Sequence, residues 1–119
     1  MQQANQSYSK TTIATVAVVK DEIDKNPLSP KSTDELATLA GMTRARLQKI
    51  FKDVEGKRIR DYQFDRKMGA ACDMLLEGQF SIKQIALQCG FSSQENFSHS
   101  FKKKYKMSPK NWQYQFGGR

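Results

Sequence analysis

Apolar side chains return every three or four residues along most of the chain, the spacing that keeps them on one face of a helix. Ile13, Val16, Val19 and Ile23 form the first such row, and Asn26-Pro27 stops it. Residues 27–31, PLSPK, read as a rigid turn. Ser32-Thr33-Asp34-Glu35 is a capping box with acids in the first turn; it opens a short helix over 33–40 that ends at Gly41. Thr43 caps the next helix, 44–55, whose inward face is Leu47, Ile50, Phe51 and Val54, with Gly56 behind it. A long helix follows over 59–77. Its stripe of Phe64, Met68, Ala71, Cys72, Leu75 and Leu76 keeps to i, i+4, i+7, i+8, and Gly78 caps it. Ser81 opens a helix over 82–89 that ends at Gly90, and Ser93 opens one over 94–105. Ser108-Pro109, a cap followed by proline at the first helical position, starts a last helix through Gln115. Trp112, Tyr114 and Phe116 are expected to pack that helix onto the second half. No segment carries a strand signal. The predicted fold is all-α, with about seven helices.

The pattern also repeats. Leu36-Ala37-x-x-Ala40-Gly41-Met42 matches Ile85-Ala86-x-x-Cys89-Gly90-Phe91 at an offset of 49. Thr43, Leu47 and Phe51-Lys52 match Ser93, Phe97 and Phe101-Lys102 at an offset of 50. Each copy has the logic of a helix-turn-helix. An Ala lets the second helix cross closely, a Gly ends the first helix, and an apolar residue plugs the corner. The organisation read from this is a flexible tail or linker end over 1–10 and a first helix-turn-helix subdomain over 11–56. A connecting helix over 57–78 and a second helix-turn-helix subdomain over 79–119 complete it. A helix of about 19 residues spans roughly 30 Å, close to the ~34 Å between successive major-groove faces of B-DNA.

Charge narrows the class of partner. The 119 residues hold 20 Lys+Arg and 12 Asp+Glu, a formal net charge of +8. An excess of this kind points to a polyanion, nucleic acid before an anionic membrane. It is unevenly spread: net −1 over residues 1–42 (4 basic, 5 acidic), +3 over 43–78 (9 and 6) and +6 over 79–119 (7 and 1). Apolar residues, at 38%, suffice for a core in a chain this size. Other chemistries find little material. One histidine, His99, and two cysteines, Cys72 and Cys89, provide neither a zinc set nor a nucleophile–histidine pair. No GxxxxGK[ST] or GxGxxG phosphate loop occurs. The stretch Ile13–Val19 does not read as a signal peptide, and no apolar run reaches the ~20 residues of a membrane span. Neither metal, cofactor, enzymatic activity nor membrane contact is expected, and the thiols are read as core residues.

The block Ile85-Ala86-x3-Gly90-Phe91-x-Ser93-x3-Phe97-x3-Phe101-Lys102-x2-Tyr105-x2-Ser108-Pro109 resembles the signature of the AraC/XylS family of bacterial transcription regulators. Ala40, Leu47, Phe51-Lys52, Gly56, Tyr62, Arg66, Ala70 and Leu75-Leu76 extend the resemblance through the first half. It implies a DNA-binding domain with two recognition helices entering successive major grooves of double-stranded DNA. It makes 44–55 the first reader, with Arg44, Ala45, Gln48 and Lys49 toward the bases and Arg46 at the edge. It makes 94–105 the second, with Gln94, Glu95, Asn96 and His99. Arg and Lys suit guanine, Gln and Asn suit adenine, and Glu can accept from cytosine.

Phosphate contacts are expected from Arg58, Arg60, Lys102, Lys103, Lys106 and Lys110, and from the helix starts at Thr33, Ser81, Ser93 and Pro109. Arg66 is read as structural, a partner of a carboxylate such as Asp61. Three positions depart from the family pattern: His99 where Arg is frequent, Lys106 where Gly precedes the Ser-Pro, and Gln113 after Trp112. The implied partners are double-stranded DNA and RNA polymerase, in a bacterial cytoplasm on the nucleoid. The implied role is that of an activator, monomeric over this stretch and dimeric, if at all, through a preceding N-terminal domain. A protein-interaction module using the same basic surface, and an enzyme such as a repair methyltransferase carrying a domain of this type, are the competing readings.

Overall fold

A computed structural model describes residues 8–117. Residues 1–7 of the tail expected over 1–10, and residues 118–119 at the other end, lie outside the described residues. Seven helices and no strand occur among the described residues: α1 Lys10–Lys25, α2 Thr33–Ala40, α3 Arg44–Glu55, α4 Ile59–Glu77, α5 Ile82–Gln88, α6 Gln94–Tyr105 and α7 Pro109–Phe116. The chain is all-α. The expected tail is shorter at its inner end than its polarity suggests. Ser9 is the N-cap of α1, its hydroxyl accepting from the Thr12 amide, and Tyr8 reaches across to α3.

The described residues up to Arg66 form one compact unit and those from Lys67 another, the boundary falling within the unbroken helix α4. In the first unit α1, α2 and α3 bury Val16, Val19, Ile23, Leu36, Ala37, Leu47, Ile50 and Phe51, and Ile59 closes the cluster. Apart from Ala37, burial of each of these side chains contributes roughly 1.5–3 kcal/mol. Tyr62 meets Phe51 edge-on and donates from its hydroxyl to Asp24 at 2.6 Å. Asp24 also takes Arg66 at 3.3 Å. Arg66 is therefore structural, as expected, but its partner comes from α1; Asp61 is held by Arg58 instead.

The second unit buries Met68, Ala71, Met74, Leu75, Ile85, Ala86, Cys89, Phe97, Phe101 and Pro109. Gln113 ties α7 to α4 by donating to the Leu75 carbonyl at 2.8 Å. Two expectations fail here. Leu76 is 46% exposed, because it lies 100° round the helix from Leu75 and the buried row continues through Met74. Tyr114 is 84% exposed, since Trp112, two residues earlier, takes the inward position of that short helix. Phe116 packs against Trp112 in a tilted arrangement at 5.3 Å yet stays half in solvent. Of the two thiols, Cys89 is buried and Cys72 half-buried, and both are free. Burial pushes each thiol's pKa up.

The duplication seen in the sequence is repeated bond for bond. In the first corner Met42 N–H donates to Ala37 and Gly41 N–H to Thr38; in the second Phe91 N–H donates to Ala86 and Gly90 N–H to Leu87. All four pairs are related by 49 residues. These bonds satisfy the last carbonyls of the short helix, and the left-handed Gly41 (φ 69°) and Gly90 (φ 83°) make the geometry accessible. The short helices start alike as well. Ser32 and Glu35 exchange bonds in a capping box, and so do Ser81 and Gln84.

Candidate nucleic-acid interface

Helix α3 turns Leu47, Ile50 and Phe51 inward, which leaves Arg44, Ala45, Arg46, Gln48, Lys49 and Lys52 on the exposed face. Thr43 caps it by accepting from the Arg46 amide at 3.2 Å, so the first turn holds its exposed residues in fixed directions. A concave basin of about 530 Å³ lies against this face. It is lined by Thr33 from α2, by Arg44, Gln48, Lys49 and Lys52 from α3, and by Arg58, Ile59 and Arg60. Three of the expected base readers, Arg44, Gln48 and Lys49, thus share one depression with three expected phosphate contacts, Thr33, Arg58 and Arg60. Lys52, visible in the sequence only as part of the repeated Phe-Lys pair, belongs to the same lining. Ala45 and Arg46 are exposed but stand outside it.

Carboxylates set the electrostatics of this face. Arg44 is 3.7 Å from Asp34, and Arg58 is 3.2 Å from Asp61. Lys49 Nζ is 3.2 Å from Asp53 Oδ2 one helical turn on. The same Asp53 oxygen accepts from the Tyr8 hydroxyl. The bond from Tyr8, and then the bond from Lys49, hold the Asp53 carboxyl below its usual range. Asp53 in turn raises the pKa of the Lys49 ammonium and of the Tyr8 phenol. Tyr8 and Asp53 were missed from sequence: they lie 45 residues apart, and a lone tyrosine in a polar stretch has no periodicity to flag it.

On α6 the buried row is Phe97 and Phe101, and Gln94, Glu95, Asn96, His99, Lys102 and Lys103 are exposed. Ser93 caps the helix by accepting from the Asn96 amide, and the Asn96 side-chain amide donates to Ser92. His99, Lys102 and Lys103 follow at i, i+3 and i+4 on the helix, so they share a stripe. Lys106 occupies the left-handed C-cap (φ 71°), the position where the family pattern has Gly. Ser81 already bonds Gln84 through both hydroxyl and amide, so an anion there would meet the following amides of the first turn. Lys110 does not join the α6 stripe. It lines a separate concavity of about 510 Å³ with Leu75, Leu76, Glu77, Gly78, Asn111, Gln113, Tyr114 and Gly117.

Among the described residues no group of His, Cys, Asp and Glu is arranged to hold a metal ion, and no helix is long and apolar enough to cross a membrane.

A family model described as a helix-turn-helix domain matches residues 36–115. The chain is 40% identical over 76 residues to the probable transcription factor PqrA of Proteus vulgaris, a match covering 64% of this chain and 62% of that one. It is 38% identical over 80 residues to the transcriptional regulator Rob of Salmonella typhimurium, covering 67% of this chain and 28% of that one. Among solved structures it is similar to a transcriptional regulator with an AraC-type DNA-binding domain from Chromobacterium violaceum. The TM-score is 0.71 at 28% identity, covering 88% of this chain and 90% of that one. The chain spans 27% to 62% of the length of three of the curated relatives it matches.

Proposed function

The chain belongs to the AraC-type helix-turn-helix family of bacterial transcription regulators, and on that premise we propose that it binds double-stranded DNA with sequence specificity. In this reading α3 presents Arg44, Ala45, Gln48 and Lys49 to one major groove, with Arg46 at its edge. Helix α6 presents Gln94, Glu95, Asn96 and His99 to the next. Thr33, Lys52, Arg58 and Arg60 hold phosphates beside the first reader. Ser93, Lys102, Lys103 and Lys106 hold them beside the second, with the helix start at Ser81 and Lys110 as further anchors.

The observation that carries the reading is the basin on α3, where guanine- and adenine-reading side chains stand among guanidinium and ammonium groups that suit phosphates. The duplicated corner supports a second reader of the same build. The unbroken 19-residue α4 is about 28 Å long, a span suited to neighbouring grooves. Because the two readers differ in sequence, the site is asymmetric. An activator of this type works on the nucleoid in the cytoplasm and also touches RNA polymerase. This stretch acts as a monomer.

Selection of bound sequences from a random duplex pool tests the proposal. Two unlike enriched blocks, spaced by about one helical turn, are expected; a single block or a palindrome overturns the two-reader geometry. Lys49→Ala and Gln94→Ala should each cost about 1–3 kcal/mol on the selected site and little on random duplex. Lys103→Ala should weaken both alike and lower the salt slope by about 0.9.

A further inference from the structure

We propose that Asp53 and Tyr8 are positioning residues that make Lys49 a discriminating contact by holding its ammonium in one place on the reading face. The inference rests on the DNA-binding reading above and deepens it. A lysine is a compact charge on a flexible stem, and a free one on a DNA-facing surface neutralises any phosphate within reach. Lys49 is not free. Its side chain is 74% exposed, yet the ammonium is tied at 3.2 Å to a carboxylate only 33% exposed.

That carboxylate is itself fixed from outside the helix. The Tyr8 ring packs against the core of the first unit, and its hydroxyl donates to the same Asp53 oxygen that Lys49 uses. The rigid ring orients the carboxylate, and the carboxylate orients the ammonium. Leaving this pair for a phosphate breaks a charge-assisted bond and brings Asp53 toward the polyanion. A well-placed guanine can take the ammonium where it stands. The arrangement penalises the sequence-blind contact more than the specific one. It also links the chain before α1 to the first reader, since Tyr8 stands one residue before the α1 cap.

The test uses the full 119-residue chain and the duplex chosen by selection, beside a scrambled duplex of equal length. Binding of each is followed by fluorescence anisotropy across a salt series. Asp53→Asn should lower the specific-to-scrambled affinity ratio about three- to tenfold, mostly by tightening the scrambled complex, and steepen its salt slope by about one. Tyr8→Phe keeps the ring and removes only the hydroxyl. It should shift the ratio the same way by about twofold. In a Lys49→Ala background Asp53→Asn should leave the ratio where Lys49→Ala put it.

Unchanged ratios in both single variants overturn the proposal. So does a full-sized Asp53→Asn effect without Lys49, which would make Asp53 a bare charge beside phosphates. A wild-type chain that prefers no duplex overturns the DNA-binding reading itself. A discriminating wild type with matching variants overturns the clamp alone.

Discussion

Around the first reader the buried side chains are mostly aliphatic, with Phe51 the one large aromatic among Val16, Val19, Ile23, Leu36, Leu47 and Ile50. Around the second, the buried rings Phe97 and Phe101 sit in a cluster with the partly exposed Phe91, Tyr105, Trp112 and Phe116, in contacts at centroid distances of 4.6 to 5.9 Å. The charges differ in the same sense. The first reader's Arg44 and Lys49 each stand beside an aspartate, whereas residues 79–119 set seven basic side chains against the single acid Glu95. The corner bonds are nevertheless the same. A helix-turn-helix is thus specified by its Gly turn, its caps and the depth of its buried row, and it tolerates a change in what fills the row. On the proposed DNA-binding reading, the difference alters how strongly each half attracts a phosphate.

The strongest way to break the comparison is to empty each core at matching depth. Phe51→Ala and Phe97→Ala remove fully buried rings, and each should destabilise its own half by about 3–5 kcal/mol. Hydrogen exchange resolved by residue checks this. Loss of protection confined to the mutated half confirms that the two units are separately built, and equal loss in both would show one cooperative core.

A gentler contrast lies at the ends of the readers. Helix α3 ends on Gly56 (φ 84°) and α6 on Lys106 (φ 71°), both left-handed. An L side chain there costs about 1–2 kcal/mol, part of which glycine returns as unfolded-state entropy. Lys106→Gly should therefore stabilise the second half by about 0.5–1 kcal/mol in urea unfolding while flattening the salt dependence of DNA binding. A destabilised variant would show that the lysine stem packs in the folded state.

The smallest effect expected is a pH dependence found in the first half. Burial, and then the bond to Asp24, push the Tyr62 phenol up to about 12 from an ordinary value of 10.0. The folded state holds the proton longer than the unfolded one, so this contribution is complete below pH 10 and is lost as pH rises toward 12. Chemical unfolding between those values should show the decline, and Tyr62→Phe should remove that part of it.

Much of this was legible because helical proteins punctuate themselves. Ser32, Thr43, Ser81, Ser93 and Ser108 all cap where their spacing to the next apolar row said they would. The exposed positions of α3 and α6 follow from which residues the buried rows take. What stayed hidden were choices made by tertiary partners. Leu75 and Leu76 are equally apolar, and only the surface that α4 meets decides between them. Tyr114 is aromatic like Trp112, but it lies about 200° round α7 from it, and Trp112 takes the inward side. Arg66 had acids near it in sequence, but α1 brought a better placed one. The basin on α3 needs Arg58 and Arg60 to fold back beside Thr33, and the Tyr8–Asp53–Lys49 chain needs a contact across 45 residues. Neither leaves a periodic trace.

Among the described residues, no polar or charged side chain is buried. The helix ends at each corner are satisfied by their own backbone and caps. The outward residues of α3 and α6 are thereby released from any duty in folding. Their identities can change one at a time at little cost to stability, so on the proposed reading DNA preference is free to drift under selection or to be rewritten by design. A variant library over Ala45, Gln48, Gln94 and His99 would meet a scaffold that accepts most of its members.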